Sequence, residues 1–382
     1  MKSTLNNHRL PALSNRGVSR RTFGRITALL AGGSMLPISA ETLFAQLSAM
    51  PGGVPADAVK IDANENPMGP CPEAIEAATA MVLKGGRYMY AETDTFVETL
   101  AAIEGLKADC FRAYAGSSAP LHHAVLSFTS ADRPLVVAEP GYEAAAVAAN
   151  MNGAKAISVP LTKTFAHDVK AMAAASSTPG VIYVCNPNNP TGTSTPREDL
   201  VWLIENKPVG SIVLLDEAYI HFAGEPTCAD LVAKDKDLVI LRTFSKIYGM
   251  AGLRAGVAMA RPDLLKQMGR YNAGALPSAA MAAATASLKC VDLVPQRRKI
   301  IAEIRENCLS FLKAHGFDCV PSVSNKFMVD VKRPATEIVQ ALRKERVYIG
   351  RVWPAWPTFC RVSVGTRDEM EIFKTAFLKV TA

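Results

Sequence analysis

The sequence has few residues of the kinds that bind metal ions or form redox motifs. Its eight cysteines are scattered and none forms a CxxC pair, so the pattern indicates neither a zinc site nor a dithiol motif. Histidine is also scarce, and the adjacent His122 and His123 would point in different directions on a helix. We therefore expect no metal ion, and we interpret most of the cysteines as small buried hydrophobic residues.

Acidic residues are missing from the start of the chain, where none occurs before Glu41. The basic segment SRRTFGR at 19–25 precedes the apolar stretch ITALLAGGSMLPISA, and this order resembles a twin-arginine export signal, which we place at residues 1–48. The apolar stretch is too short for a typical transmembrane helix. The resemblance implies the twin-arginine export machinery as a partner and a periplasmic location, with a membrane tether if the leader is not cleaved. A basic disordered tail is the alternative.

Clustered basic residues are absent after this leader, although the chain carries a formal net charge of +7. Part of that charge comes from the leader itself, and no basic run recurs downstream. Because a nucleic-acid surface needs such clusters, we predict no nucleic-acid partner.

Short apolar runs with regular spacing make up the rest of the chain. Between about 110 and 260 they alternate with Ala-rich helical stretches, as PLVVAEP, AKAISVPL, GVIYVCNP, GSIVLLDEAY and DLVILRTFSK. This alternation predicts an α/β fold with a mostly parallel sheet covered by helices. A helix-rich stretch and shorter strand-like pieces follow. We therefore predict an arm at 49–85 that packs with the small domain or across a dimer, a large domain at 86–280 and a small α+β domain at 281–382.

Three of these runs end in residues with ionisable or hydrogen-bonding side chains. The run at 180 leads to Asn189, the run at 210 to Asp216 and Tyr219, and the run at 237 to Lys246. Ligands bind beyond the carboxyl ends of parallel strands, so we expect these four side chains to face one crevice.

This set of groups is the one that pyridoxal phosphate requires. Its aldehyde needs an amine, its ring nitrogen a carboxylate, and its phenolic oxygen hydrogen-bond donors, which Lys246, Asp216, and the pair Asn189 and Tyr219 would supply. Its phosphate needs backbone N–H groups at a helix start, which the turn in YAGSSAPLHHAVLSF offers. Further phosphate contacts are expected from Thr243, Ser245 and Arg254, and stacking on the ring from Tyr142.

Five segments together resemble the fold-type I pyridoxal-phosphate aminotransferases of class I and II, in particular the histidinol-phosphate aminotransferase branch. They are NENPMGP at 64–70, NPNNPTGT, LLDEAYIHF, RTFSKIYGMAGLRAG and FCRVSVGTRDE. They span about residues 55 to 382 in the family's order. The resemblance implies the family's fold, with a seven-stranded, mostly parallel sheet and a smaller α+β domain, and a homodimer.

The resemblance also implies roles for single residues. Lys246 would bind the cofactor as an imine, Asp216 would pair with the ring nitrogen, and Tyr219 and Asn189 would bind the phenolic oxygen, with Asn189 also facing the substrate. Arg361 would bind the substrate carboxylate, and Arg351 lies where the family has a second substrate-facing arginine. The phosphate would be bound by Gly116, Ser117, Ser118, Thr243, Ser245 and Arg254, and by Tyr88 of the other subunit.

The chain departs from the family at two of these motifs. The phosphate loop reads GSSAP where the family usually has an acidic pair, and RYMY at 87–90 replaces RYPD. We choose Tyr88 rather than Tyr90 because Leu100 and Ala101 then keep the family spacing. Simpler interpretations also stand: NPNNPTG as a turn, Asp216 as a helix cap, Tyr142 as packing, and both arginines as ion-pair partners.

The predicted activity is the transfer of an amino group from an L-amino acid, or a related primary amine, to a 2-oxo acid. Histidinol-phosphate aminotransfer is one alternative, which the export signal disfavours because phosphorylated biosynthetic intermediates belong in the cytoplasm. A decarboxylase of the same fold is another. A binding protein without chemistry is a third, and the intact Lys246, Asp216 and Arg254 argue against it. The identity of the donor and acceptor stays open.

Overall fold

The computed structural model describes residues 54–272 and 274–382, so the predicted export signal at 1–48 lies outside the described residues. Among the residues described, none of the helices combines the length and apolarity needed to cross a membrane.

Helices and strands alternate along the described chain as the apolar runs predicted. The strands are β1 (Val59–Ile61), β2 (Phe111–Tyr114), β3 (Leu135–Glu139), β4 (Ala156–Pro160), β5 (Val181–Cys185), β6 (Ile212–Asp216), β7 (Leu238–Thr243), β8 (Gly256–Ala260), β9 (Asp318–Cys319), β10 (Lys326–Asp330), β11 (Val347–Ile349) and β12 (Phe359–Ser363). The five runs that predicted strands form β3 to β7.

The α-helices fill the intervals between the strands. They are α1 (Pro72–Val82), α2 (Tyr90–Glu104), α3 (Ser118–Phe128), α4 (Ala144–Met151), α5 (Val169–Ala174), α6 (Arg197–Asn206), α7 (Ile220–Ala223), α8 (Pro262–Met268), α9 (Ser278–Lys289), α10 (Leu293–Ala314), α11 (Ala335–Lys344) and α12 (Arg367–Thr381). Short 3₁₀ helices cover Ala108–Cys110, Ala229–Lys234 and Gly269–Tyr271.

Seven strands form the central sheet in the order β2-β8-β7-β6-β5-β3-β4. Strands β3 to β7 are parallel, whereas β8 runs antiparallel to both β7 and β2. The predicted seven-stranded, mostly parallel sheet is therefore confirmed. Every residue of β5, β6 and β7 is buried, which explains why these strands read as continuous apolar runs rather than as alternating patterns.

The register of the sheet brings three strand ends to one level. Cys185 of β5 pairs with Asp216 of β6, which in turn pairs with Leu241 of β7. Side chains at and just beyond these positions therefore lie next to one another at one edge of the sheet.

Two smaller sheets join the beginning of the described chain to its end. Strand β1 pairs in parallel with β11, with Val59 opposite Val347, and β10 lies between β12 and β9 in an antiparallel sheet. The predicted α+β character of the C-terminal part is thus present. The predicted domain boundaries stay a prediction.

Close backbone packing fixes the N-terminal arm against the loop that follows β7. Gly249 has a φ of +68°, and a Cβ atom there would lie 2.1 Å from the carbonyl oxygen of Gly69. Nearby, Asn66 Nδ2 donates to the carbonyl of Ile247 at 2.9 Å, and Arg297 donates to both Ile247 and Gly69. A side chain at position 249 would therefore separate the arm from this loop.

We predict that Gly249→Ala lowers the free energy of unfolding more than Gly210→Ala does. Gly210 has a similar φ of +79°, but a Cβ atom there would meet nothing within 4 Å, so its substitution adds backbone strain alone. We expect losses of about 3 kcal/mol at position 249 and about 1 kcal/mol at position 210, measured by urea unfolding. Equal losses would contradict the close packing of the arm.

Candidate active site

A cavity of about 590 Å³ lies beyond the carboxyl ends of β5, β6 and β7. The four side chains that the sequence placed at strand ends, Asn189, Asp216, Tyr219 and Lys246, all line it. Further lining residues that the sequence singled out are Ser117, Ser118, Tyr142, Thr243, Ser245, Arg254, Arg351 and Arg361.

Asp216 is the last residue of β6, and its carboxylate is buried at the base of the cavity. Tyr183 donates its hydroxyl hydrogen to Oδ2 at 3.0 Å, and the backbone N–H of Ala218 donates to Oδ1 at 3.1 Å. Burial raises the pKa of Asp216 to about 6, and these hydrogen bonds, with the charges of Lys246 and Lys326, offset that effect only in part. The carboxylate is therefore placed to stabilise a cation bound in the cavity.

Lys246 follows β7 and reaches into the same cavity. Its Nζ donates to the carbonyl of Ala63 at 3.3 Å and lies 5.7 Å from the centre of the Tyr219 ring. Burial and then the positive charge of Arg361 lower the pKa of Lys246 to about 8. A larger fraction of this amine is therefore neutral and nucleophilic near neutral pH than for an exposed lysine.

An asparagine of the arm connects the two predicted phenol-binding side chains. Asn64 Nδ2 donates to the hydroxyl oxygen of Tyr219 at 3.1 Å and lies 3.4 Å from Oδ1 of Asn189. Asn64 is itself held by Ser363 of β12, whose Oγ accepts from its backbone N–H and donates to its Oδ1. Asn64 opens the segment NENPMGP, but its position in the sequence gave no sign of this role.

One end of the cavity is built from small and hydrogen-bonding groups. Gly116 has a φ of +88°, and a Cβ there would lie 2.3 Å from the guanidinium of Arg254. Arg254 donates to Ser245 Oγ at 3.2 Å, and Thr243 donates to the same oxygen at 3.0 Å. Helix α3 begins at Ser118 beside them, so the backbone N–H groups of its first turn add to a site suited to a phosphate.

The two predicted substrate arginines lie in different surroundings. Arg361 of β12 is buried and donates to Oδ1 of Asn189 at 3.0 Å and to the carbonyl of Asp62, and burial lowers its pKa to about 10. Arg351 forms an ion pair with Glu143, and its guanidinium carbon lies 4.6 Å from the ring centre of Trp353. No sequence pattern pointed to Glu143.

Tyr88 lies outside the cavity of its own chain. It is 78% exposed and stacks on Tyr90, with 5.7 Å between ring centres. That it reaches the phosphate site of another subunit stays a prediction.

Lys326 is a buried amine behind the site that was not predicted from the sequence. Its Nζ lies 3.1 Å from the ring centre of Tyr219 and donates to Ser324 Oγ at 3.0 Å. Burial lowers the pKa of Lys326 well below the ordinary value of a lysine. The sequence does contain a signal that could have identified Lys326, because a charged residue stands at the start of the apolar run KFMVDV.

Two of the cysteines lie close together although they are distant in sequence. The sulfurs of Cys71 and Cys290 and a carboxylate oxygen of Glu73 are all within 4.8 Å of one another. The backbone N–H of Glu73 and then the two thiols donate to this carboxylate, which lowers the pKa of Glu73. Hydrogen bonding accounts for the cluster, which the spacing in sequence did not reveal.

The cavity fits pyridoxal phosphate at each of its functional groups. Asp216 offers an anion for a protonated ring nitrogen, Lys246 an amine of lowered pKa for the aldehyde, and Tyr219 and Asn189 contacts for the phenolic oxygen. The missing Cβ of Gly116 lets the guanidinium of Arg254 pack against the turn before α3, where this cation would face the phosphate.

Comparison with known proteins agrees with this fit. The family model described as aminotransferase class I and II matches residues 56–377 of the chain. A histidinol-phosphate aminotransferase of Moorella thermoacetica is 33% identical over 339 residues, which are 85% of this chain and 86% of that protein. An aromatic amino acid aminotransferase of Cutibacterium acnes is 34% identical over 275 residues, 70% of this chain and 78% of that protein.

A solved structure is similar over nearly the whole length of the chain. The histidinol-phosphate aminotransferase of Sinorhizobium meliloti, solved in complex with pyridoxal-5'-phosphate, superposes with a TM-score of 0.81 at 25% sequence identity. The match covers 96% of this chain and 99% of that one.

Proposed function

The chain belongs to the class I and II aminotransferases, and we propose that it moves the amino group of an L-amino acid to a 2-oxo acid through the residues around Asp216 and Lys246. The observation that carries this proposal is the opposed perturbation of these two groups in one cavity. Burial raises the pKa of Asp216 to about 6, whereas burial and a neighbouring charge lower the pKa of Lys246 to about 8. Both shifts suit the roles that pyridoxal-phosphate chemistry demands.

Each residue has a distinct part in this proposal. Bound pyridoxal phosphate supplies an electron-accepting ring for the charge that develops at the substrate's α-carbon. Asp216 would stabilise the protonated ring nitrogen of the bound cofactor, and the amine of Lys246 would accept the proton from the α-carbon of the substrate. Arg361 binds and orients the substrate carboxylate, because its guanidinium already lies beside Asn189 in the cavity.

Other residues hold the cofactor rather than move protons. Tyr219 and Asn189 would fix the phenolic oxygen, and Asn64 orients both of them through its amide. The phosphate would be held at the end of the cavity where Ser245 accepts hydrogen bonds from both Thr243 and Arg254. Decarboxylation by the same groups is the competing activity, because one cofactor site can serve both reactions.

We predict that the holoenzyme converts an L-amino acid into one equivalent of its 2-oxo acid per site without releasing carbon dioxide. Asp216→Asn should still bind cofactor but lose turnover by about 100-fold or more, because a neutral amide cannot hold the ring nitrogen protonated. Asp230→Asn is the matched control, since Asp230 pairs with Arg197 at the surface. Stoichiometric carbon dioxide would favour the decarboxylase, and near-normal turnover of Asp216→Asn would remove Asp216 from the mechanism.

We also propose a homodimer in which Tyr88 completes the partner's phosphate site. The region around the start of α2 supports this, because it exposes several large apolar side chains that a second subunit would cover. They are Ile75 at 53%, Val82 at 69%, Leu83 at 86%, Tyr88 at 78% and Tyr90 at 62% exposure.

We further propose that the enzyme is exported to the periplasm in its folded, cofactor-loaded form. The leader with Arg20 and Arg21 supports this, because twin-arginine systems carry folded proteins. A cofactor held between several strand ends, and shared with a second subunit, needs a completed fold before it is bound.

We predict that changing Arg20 and Arg21 together to Lys leaves active, cofactor-loaded enzyme in the cytoplasm. Cell fractionation followed by an activity assay measures this. Periplasmic activity that persists in the double variant, or wild-type activity confined to the cytosol, would show that the leader is not an export signal.

A further inference from the structure

Arg351 lines the cavity, but a carboxylate already neutralises it. Glu143, which does not itself line the cavity, forms an ion pair with the guanidinium of Arg351. The Arg351 side chain is 18% exposed and that of Glu143 is 36% exposed. At such partly buried positions water screens the pair less than it screens a surface pair.

A tryptophan holds the two charged segments together. Trp353 Nε1 donates to the carbonyl of Gly141 at 2.9 Å, two residues before Glu143. The same ring lies 4.6 Å from the guanidinium carbon of Arg351 and 5.3 Å from that of Arg361. The position of Arg351 is therefore set by Glu143 on one side and by the Trp353 ring on the other.

This arrangement penalises a substrate with an anionic distal group. A phosphate that approached Arg351 would meet a charge already compensated by Glu143. Displacing Glu143 would leave a half-buried carboxylate without its partner, which is costly. Two further carboxylates, Asp62 and Glu65, line the same cavity and add to the negative charge that an anionic side chain would meet.

The α-carboxylate of an amino acid does not meet this obstacle. Arg361 lies deeper, where its contacts are the neutral oxygens of Asn189 and of the Asp62 backbone. The carboxylates of Asp62 and Glu143 act on Arg361 from a longer range, whereas Glu143 contacts Arg351 directly. Arg361 is therefore the more available of the two arginines for a substrate carboxylate.

We propose that Glu143 is a specificity-determining residue, which positions and neutralises Arg351 so that the enzyme selects amino donors whose side chain carries neither phosphate nor carboxylate. The inference rests on the aminotransferase function proposed above. It names the substrate class as L-amino acids with uncharged side chains, rather than the phosphorylated donor in the names of several relatives.

Kinetics of the holoenzyme with two donors test this proposal. L-phenylalanine is the probe with an uncharged side chain and L-aspartate the probe with an anionic one, each with the same 2-oxo acid acceptor. Both donors keep the α-carboxylate that Arg361 would bind. Wild type should have the higher kcat/KM with phenylalanine. In Glu143→Gln the ratio of kcat/KM for L-aspartate to that for phenylalanine should rise by about tenfold or more, because the amide no longer compensates Arg351.

The matched control is Glu303→Gln, which removes a carboxylate paired with an arginine, Arg367, at the surface. It should leave the ratio unchanged, as would any general effect on folding.

The outcomes distinguish a failure of this inference from a failure of the proposed function. An unchanged ratio in Glu143→Gln, or a wild-type preference for L-aspartate over phenylalanine, would each overturn the role of Glu143 while leaving the aminotransferase function intact. Failure of wild type to form an oxo acid from any amino donor would instead overturn the proposed function.

Discussion

The active site depends on the burial of one carboxylate, Asp216, at the end of the central strand β6. Burying an anion costs free energy unless a cation or hydrogen bonds compensate it. Tyr183 and the N–H of Ala218 compensate this one in part, and its pKa still rises to about 6. A ligand with a protonated ring nitrogen would supply the positive charge that completes the compensation of this carboxylate. The parallel sheet makes this possible, because it buries the strand and directs its carboxyl end into a cavity.

Segments far apart in sequence complete the site around that carboxylate. Asn64 from the arm contacts Tyr219 and Asn189 from the strand ends, and Ser363 near the C-terminus holds Asn64 in place. Strand β1 of the arm pairs with β11 of the C-terminal part. This pairing holds Asn64, which follows β1, and Arg351, which follows β11, at the same cavity. The site is therefore assembled by tertiary structure and forms only once the chain has folded.

Much of this arrangement could be predicted from the sequence, because local patterns carry it. Apolar runs predicted β3 to β7, and the side chains that follow them pointed to Lys246 and Asp216. The antiparallel strand β8 and the contacts of Tyr183, Lys326 and Glu143 could not be predicted in this way. Tyr183 lies inside an apolar strand, and Glu143 meets Arg351 across a separation of 208 positions, so only the folded chain reveals what each side chain contacts.

The cavity lowers the pKa of Lys246 and so prepares this amine to capture the cofactor. The direct measurement mixes cofactor-free protein with pyridoxal phosphate and follows the rate of covalent binding against pH. We predict a rate that rises with pH around a midpoint near 8, well below the 10.5 of an ordinary lysine, because only the neutral amine reacts. Lys313→Ala, at an exposed site, should give the same curve. A midpoint near 10.5, or undiminished covalent binding by Lys246→Ala, would contradict the account.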